Sequence, residues 1–350
     1  MRSEVVEIDG AYGEGGGSVV RTALAVASLT GQPLVIRNVR GGLRRTGVSP
    51  IDSALAHALG QVTHADVSAR VGDEILSFAP KDRVAPFRDT VDLNELAKTS
   101  QPGSAVLALQ TLMTPLARAG ALSYVSCRGG THIPFAPTYE YFRSVTLPAM
   151  ACAGVVGVSS MTSAGYPPRG GGLVDLEIEP SALSGFNWAE RGELKLCKAF
   201  VVGSELPEAV MKRGANHIAN LAGREGIEME IETIRPTSPS PGAAVTCIAI
   251  FESGFGGYQS IGERGKAMET VCDEAFSDLI TWLNGDATAD EFLADQMLIP
   301  AAFSGEQCYY KTNRITPTLT TAAWVIKQFM PAKIAILGKD GKPGEVKVSV

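Results

Sequence analysis

The sequence predicts an α/β fold of the α+β kind, with three similar units in one large domain and a smaller α/β domain inserted between the second and third. Three observations predict it. A polar or glycine-rich loop, an apolar helix of roughly four turns and a closing glycine recur three times along the chain. A second helix, with proline in or near its first turn, follows each copy. Between the second and third copies, residues 184–279 read as a complete small unit of strands and helices.

The elements follow in order. Met1 to Glu7 alternate like a strand. Gly15-Gly16-Gly17-Ser18 leads a helix from Val19 to Leu29 that stops at Gly31, as serine at a helix start and glycine past its end favour. Strand Leu34–Arg37 and helix Ser49–Gln61 complete the first unit. Gln101-Pro102-Gly103-Ser104 opens the second, with helix Ala105–Ala119, strand Leu122–Val125, helix Pro137–Cys152 and strand Val174–Ile178. The inserted stretch gives strand Leu194–Val202, helix Leu206–Ala222, strand Glu228–Thr233, a Pro/Ser loop over 236–241 and strand Val245–Phe251. A glycine-rich loop and a helix from Gly265 to about Leu283 close it. The third unit has a helix Phe292–Phe303 begun by Asp290, a helix Thr316–Phe329, and strands Ile334–Leu337 and Val346–Ser349. The large domain is therefore expected at 1–183 and 280–350, the inserted one at 184–279.

Composition narrows the function classes. With 45% hydrophobic and 19% charged residues in 350, the chain is globular. Its net charge of −6 argues against a surface coated for non-specific nucleic-acid binding, though not against one basic cleft. Six scattered cysteines with no CxxC pair give neither metal-ligand spacing nor a disulfide framework. No apolar run is long enough for a membrane span, and the N-terminus has no signal-like core. A soluble, reduced, cytoplasmic protein without a membrane partner is expected; homo-oligomerisation is left open.

Several residues are candidates for chemistry. Glu14 before three glycines and a helix suits an anion on backbone N–H groups, with the carboxylate holding a metal ion; a plain strand-to-helix turn needs the same small residues. Arg37, Arg40, Arg44 and Arg45, with Arg21, form the one dense basic stretch and suit phosphate or carboxylate. A solvated loop with a few ion pairs is the plainer reading. Among four histidines, only His132 sits in a glycine-rich loop beside an arginine, Arg128, and so suits acid/base work. Asp295-Gln296 lies in an apolar run, where a carboxylate needs a partner or ligand. Arg169 precedes three glycines, a mark of close backbone approach. Cys308 has no histidine near it in sequence and reads as packing.

Five ordered stretches resemble the RNA 3′-terminal phosphate cyclase family. They are Ile8 to Gly17 with Arg21; Gly129-Gly130-Thr131-His132 with Ala136-Pro137; Tyr166 to Gly172; Gly262 to Lys266; and Leu293-Ala294-Asp295-Gln296. The resemblance implies three βαβαββ repeats plus an inserted domain, which agrees with the units read above. It also implies an ATP-dependent enzyme that adenylates a histidine, passes AMP to an RNA 3′-phosphate and lets the 2′-hydroxyl close a 2′,3′-cyclic phosphate. ATP and magnesium would be the cofactors, and a nucleotide, an RNA 3′ end or a smaller anionic molecule the partner. Glu14 would lie near the metal, Arg21 and Arg40 on phosphates, and Asp295-Gln296 at the nucleotide.

The departures from that pattern are specific. Counting back from Phe329-Met330-Pro331, Thr318 occupies the place of the family's nucleophilic histidine, and threonine has no ring nitrogen to form a phosphoramidate. Pro50-Ile51-Asp52 stands where the family commonly has Arg-Gln-His. Three functions are therefore expected to compete: a cyclase-like protein without histidine adenylation, an enzyme on a small anionic or cyclic metabolite, and a non-enzymatic RNA- or ribosome-assembly-associated binding protein. In each, Glu14, Arg21, Arg40, Ser104, His132, Asp295, Gln296 and Thr318 are expected to meet in one pocket facing the inserted domain, with Thr318 as its helix's N-cap.

Overall fold

The computed structural model describes residues 4–93 and 103–349; Met1 to Ser3 of the first expected strand and Gln101-Pro102 of the second loop lie outside them. The first segment runs β1 (Val6–Asp9), α1 (Gly17–Thr30), β2 (Leu34–Arg37), α2 (Pro50–Thr63), β3 (Asp66–Ser68) and β4 (Leu76–Ala79). The second has β5 (Arg88–Asp92), α3 (Ala105–Ala117), β6 (Ser123–Gly129) and a continuous helix α4 assembled from Tyr139–Tyr141, a π-helical stretch Phe142–Thr146 and Leu147–Cys152. Pro148 lacks the N–H that would reach back to Ser144, which explains the wide turn at that place. β7 (Gly157–Ser163) and β8 (Gly172–Ile178) follow.

A two-residue strand, β9 (Asn187–Trp188), comes next. It is followed by β10 (Leu194–Ser204), α5 (Glu208–Glu225), β11 (Glu230–Ile234), β12 (Gly242–Phe251), β13 (Gly254–Ile261) and α6 (Met268–Leu283). The chain ends with α7 (Leu293–Gln296), α8 (Leu298–Phe303), β14 (Cys308–Thr312), α9 (Pro317–Phe329), β15 (Lys333–Gly338) and β16 (Gly344–Ser349).

Four mixed four-stranded sheets result. Three share one pairing pattern, in the orders β1-β2-β4-β3, β5-β6-β8-β7 and β9-β14-β16-β15. In each the first two strands are parallel and the others antiparallel. A parallel pair needs a long crossover, and α1 and α3 supply it in the first two sheets. The fourth sheet, β11-β10-β12-β13, carries α5 and α6 on one face and has a core of its own. From its other face Phe200, Val202, Ile248 and Phe255 join the main core, so the small unit is packed broadside onto the large one.

Three details differ from the sequence expectation. Asn187–Trp188 falls inside the stretch 184–279, yet it pairs with β14, and Trp188 is buried among Phe186, Phe255 and Tyr310. The loop expected after Phe251 is strand β13; its glycines admit neighbours, since a Cβ at Gly256 would lie 2.7 Å from the Trp282 ring. The expected helix Phe292–Phe303 breaks at Met297, because Pro300 cannot donate to Gln296. Among the described residues no helix is long and apolar enough to cross a membrane.

Candidate functional site

Helices α1, α3 and α7 and the start of α9 converge on a half-open cavity of about 290 Å³. Ser18 and Arg21 line it from α1, Gln110, Thr111 and Thr114 from α3, Asp295 and Gln296 from α7, and Thr316 and Thr318 from the start of α9. Phe135 and Pro137, ahead of α4, form part of its rim.

The loop before α1 is built to bring charges together. Gly13 and Gly15 both take positive φ, a conformation that strains other residues. Gly13 abuts Thr321 of α9, and Glu14 N–H donates to Thr321 Oγ1 at 3.0 Å. Tyr12 stacks on Trp324 with centroids 3.8 Å apart, so the first segment's loop rests on the last helix. A Cβ at Gly17 would lie 2.6 Å from Arg21 Nη1 and 2.8 Å from Arg40 Nη1. Two guanidiniums thus meet over the start of α1, where the helix dipole also favours an anion.

Carboxylates balance them. Arg40 Nη1 lies 3.4 Å from Asp52 Oδ2, and the Asp52 side chain is fully buried, its Oδ1 without a partner among the described residues. Asp52 also completes a capping box with Ser49 at the head of α2. Burial lowers the pKa of the Arg21 guanidinium, while Asp52, Glu14 and Asp295 oppose that shift. Burial raises the Asp295 carboxyl to about 7, with Arg21 pulling the other way. An added anion would take over the arginines' share of this balance.

Glu14 is arranged to suit a hard cation. Its Oε1 accepts Ser18 N–H at 2.9 Å and Ser18 Oγ–H at 2.5 Å. Oε2 takes no protein donor among the described residues and stands over Gly16, where a Cβ would be 2.6 Å away. A magnesium ion held by one carboxylate, waters and phosphate oxygens fits such a donor.

The expected residues thus divide. Arg21, Asp295, Gln296 and Thr318 line the cavity, and Glu14 and Arg40 adjoin it through Ser18 and Gly17. The Gln296 amide is already engaged, its carbonyl accepting from Gln110 at 3.0 Å and from Thr146 at 3.0 Å. Ser104 is instead a buried N-cap, accepting from Leu107 N–H. His132 is fully buried: Nε2 lies 2.7 Å from Glu140 and Nδ1 2.8 Å from Thr131 Oγ1, which leaves it no access to substrate. Arg128 pairs with Asp92, Arg169 donates to Pro239 C=O, and Arg44 lies exposed on the 40–47 loop. The cap of α9 is Thr316, not Thr318, because Pro317 takes the first helical position; Thr318 faces the cavity one residue later.

Sequence reasoning passed over Gln110, Thr111 and Thr114. They form a polar stripe at helical spacing along an otherwise apolar helix, a pattern that could have marked them. It also expected the cavity to face the inserted domain, whereas none of the lining residues comes from β10 to α6.

A model of the family described as RNA 3′-terminal phosphate cyclase matches residues 12–336. The RNA 3′-terminal phosphate cyclase of Trichormus variabilis is 34% identical over 334 residues, covering 95% of this chain and 96% of its own. Those of Methylococcus capsulatus and Pyrococcus abyssi are each 33% identical, over 347 and 353 residues, with 98% of this chain covered and 96% and 98% of theirs. Matched along almost its whole length by that family and by such relatives, the chain belongs to the RNA 3′-terminal phosphate cyclase family.

Proposed function

We propose that the cavity takes the phosphates of ATP and of an RNA 3′ end, and that the chain is a cyclase-like protein that does not adenylate at position 318. The observation that carries this reading is Thr318 in the cavity wall with Arg21 and Asp295, at the place the family resemblance gives to a nucleophilic histidine. Arg21 and Arg40 would hold phosphate oxygens, and the start of α1 would add its dipole. Glu14 would hold a magnesium ion, which when bound neutralises phosphate charge. Asp295, buried beside Arg21 with its carboxyl raised to about 7, would face a hydroxyl of the bound nucleotide. The three sheets of one pattern are read as three βαβαββ repeats, with the small unit set into the third between β9 and α7.

The test uses radiolabelled ATP with magnesium and an RNA oligomer ending in a 3′-phosphate. Saturable binding of both without an acid-labile AMP–protein adduct is expected. Thr318→His alone is expected to stay unlabelled, since Asp52 still holds Arg40 and the contacts expected of Arg-Gln-His are missing. A covalent AMP adduct on the unaltered protein overturns the reading. The volume of about 290 Å³ also suits a second reading, a small anionic or cyclic metabolite. Thermal stabilisation by such anions, with no response to the RNA oligomer, would favour it.

A further inference from the structure

The third sheet, β9-β14-β16-β15, carries a second cavity of about 460 Å³ that has no part in the function proposed above. Side chains alternate between the two faces of its strands. Tyr310, Val346 and Ile334 point inward and are buried, and the Tyr310 hydroxyl donates to Ala294 C=O of α7 at 2.5 Å. Tyr309, Lys347 and Ala335 therefore point outward, away from the helices that build the first cavity.

Strand pairing sets Asn187, Tyr309, Lys347 and Ala335 side by side in one row across the sheet. Lys333 and Gln307 add to the wall, and no carboxylate among the described residues lines it. The Lys347 ammonium lies 5.4 Å from the centre of the Tyr309 ring, so an aromatic ring and a cation are offered together. Glu345, farther along the strand, pairs with Lys347 at 3.3 Å. Lys333 is exposed and has no ion pair among the described residues.

The same row is built differently in the other two sheets. It reads Arg88, Tyr124, Glu177 and Val158 in the second, and Glu7, Val35, Ser77 and Ser68 in the first. Each of those rows carries a glutamate, whereas the third sets a lysine beside its tyrosine, in a chain of net charge −6. A local cationic face with an aromatic ring complements a polyanion that also carries flat rings.

We propose that this face binds a stretch of single-stranded RNA, with one base stacked on Tyr309 and phosphates held by Lys333 and Lys347. Adjacent strands give a flat platform for unstacked bases, and the Asn187 and Gln307 amides supply donors and acceptors for base edges. The site is independent of the phosphate-binding reading of the first cavity.

The probe is a fluorescent, unstructured RNA of about ten nucleotides, within the span one such platform covers, ending in a 3′-hydroxyl. Anisotropy at low salt should show saturable binding. Tyr309→Ala should weaken it about tenfold, as loss of one stacked base gives, and Tyr309→Phe should retain it. Lys333→Ala should weaken binding and lower the log–log slope of affinity against salt by about 0.7, and Lys333→Glu should weaken it further. Lys333 makes no ion pair in the fold, so its variants decide the matter even where Tyr309→Ala folds poorly. Ultraviolet crosslinking of the bound oligomer should place the adduct within 307–312 or 345–349. An unaltered protein that does not bind the oligomer, or binding that neither Tyr309→Ala nor Lys333→Glu weakens, overturns the inference. So does a uridine mononucleotide that binds as tightly as the oligomer. A dimer that these substitutions disperse would give the face to a second copy, and overturns it as well. In each case the reading of the first cavity stands, because its own assay uses ATP and a 3′-phosphate.

Discussion

The loop at 13–17 and the loop at 129–132 both set an ionisable side chain beside consecutive glycines, and each leads toward a helix. In the first, the glycines admit charged groups: Arg21 and Arg40 over Gly17, and the Glu14 carboxylate over Gly16. Those charges border a cavity and stay only partly paired. In the second, the glycines admit apolar and backbone neighbours, with Ile133 against Gly130 and Gly103 C=O against Gly129. The ionisable residue there, His132, has both ring nitrogens engaged and a ring stacked on Tyr166. Consecutive glycines announce a close approach but not what approaches. That is decided by the neighbour: partly paired charged groups at 13–17, apolar and backbone groups at 129–132.

The largest test of this contrast removes the buried pair. His132→Ala leaves the buried Glu140 carboxylate with no partner among the described residues on either oxygen, since Oε1 already has none there. A loss of about 3–5 kcal/mol is expected in denaturant unfolding, with ligand affinity of the folded protein unchanged. The opposite result, full stability with lost binding, would break the contrast.

Asp290 extends the closed region. It accepts Tyr141 O–H, Gly257 N–H and Leu293 N–H, joining α4, β13 and α7. Burial raises its carboxyl from 3.8 to about 7, the three hydrogen bonds opposing. The fold therefore holds this proton more tightly than the unfolded chain does. That stabilisation is complete below about pH 4 and is lost as pH climbs through 7. Denaturation midpoints between pH 5 and 7.5 should fall with pH, and Asp290→Asn should remove up to about 1.4 kcal/mol per pH unit from that slope.

The open region is tested through binding. Arg21→Ala should weaken tripolyphosphate by about 1.5–3 kcal/mol, roughly 10–150-fold, while Arg21→Lys recovers only part because it lacks the planar fork. Ionisation of Asp295 adds a negative charge beside the anion, so affinity should loosen as pH rises through 7. Asp295→Asn should flatten that dependence in a calorimetric pH series.

Much of the fold was legible because local physics set it. Ser49, Ser104, Thr138 and Thr316 all cap the helices that follow them, and β2 falls at Leu34–Arg37, the range expected from the sequence. What was not legible depends on distant partners. β9 is two residues long and becomes a strand only by pairing with β14, more than a hundred positions away. The cavity's arginines and acids were legible as residue types in a motif. Gln259, which joins β13 to the loop ahead of α4, was not, because an amide on an inserted strand carries no mark of the Ala136 and Thr138 groups it will meet.

The smallest effect separates two neighbouring threonines beneath the open loop. The helix dipole of α9 and its position against Gly13 and Glu14 depend on a firm first turn. Thr316 Oγ1 accepts Leu319 N–H at 3.1 Å, and Pro317 holds the first helical φ, so the cap's energy resides in Thr316. Thr316→Ala should cost about 1 kcal/mol of unfolding stability. Thr318 follows Pro317, half-buried, and its hydroxyl has no hydrogen-bond partner among the described residues, so it can serve the cavity it lines. Thr318→Ala should leave stability within about 0.5 kcal/mol and weaken phosphate binding by roughly the worth of one hydrogen bond, about 1 kcal/mol. A reversal, with Thr318→Ala unfolding more easily and Thr316→Ala binding worse, would put the cap on the wrong residue. Position 318 would then be structural, and its occupation by threonine would say nothing about adenylation.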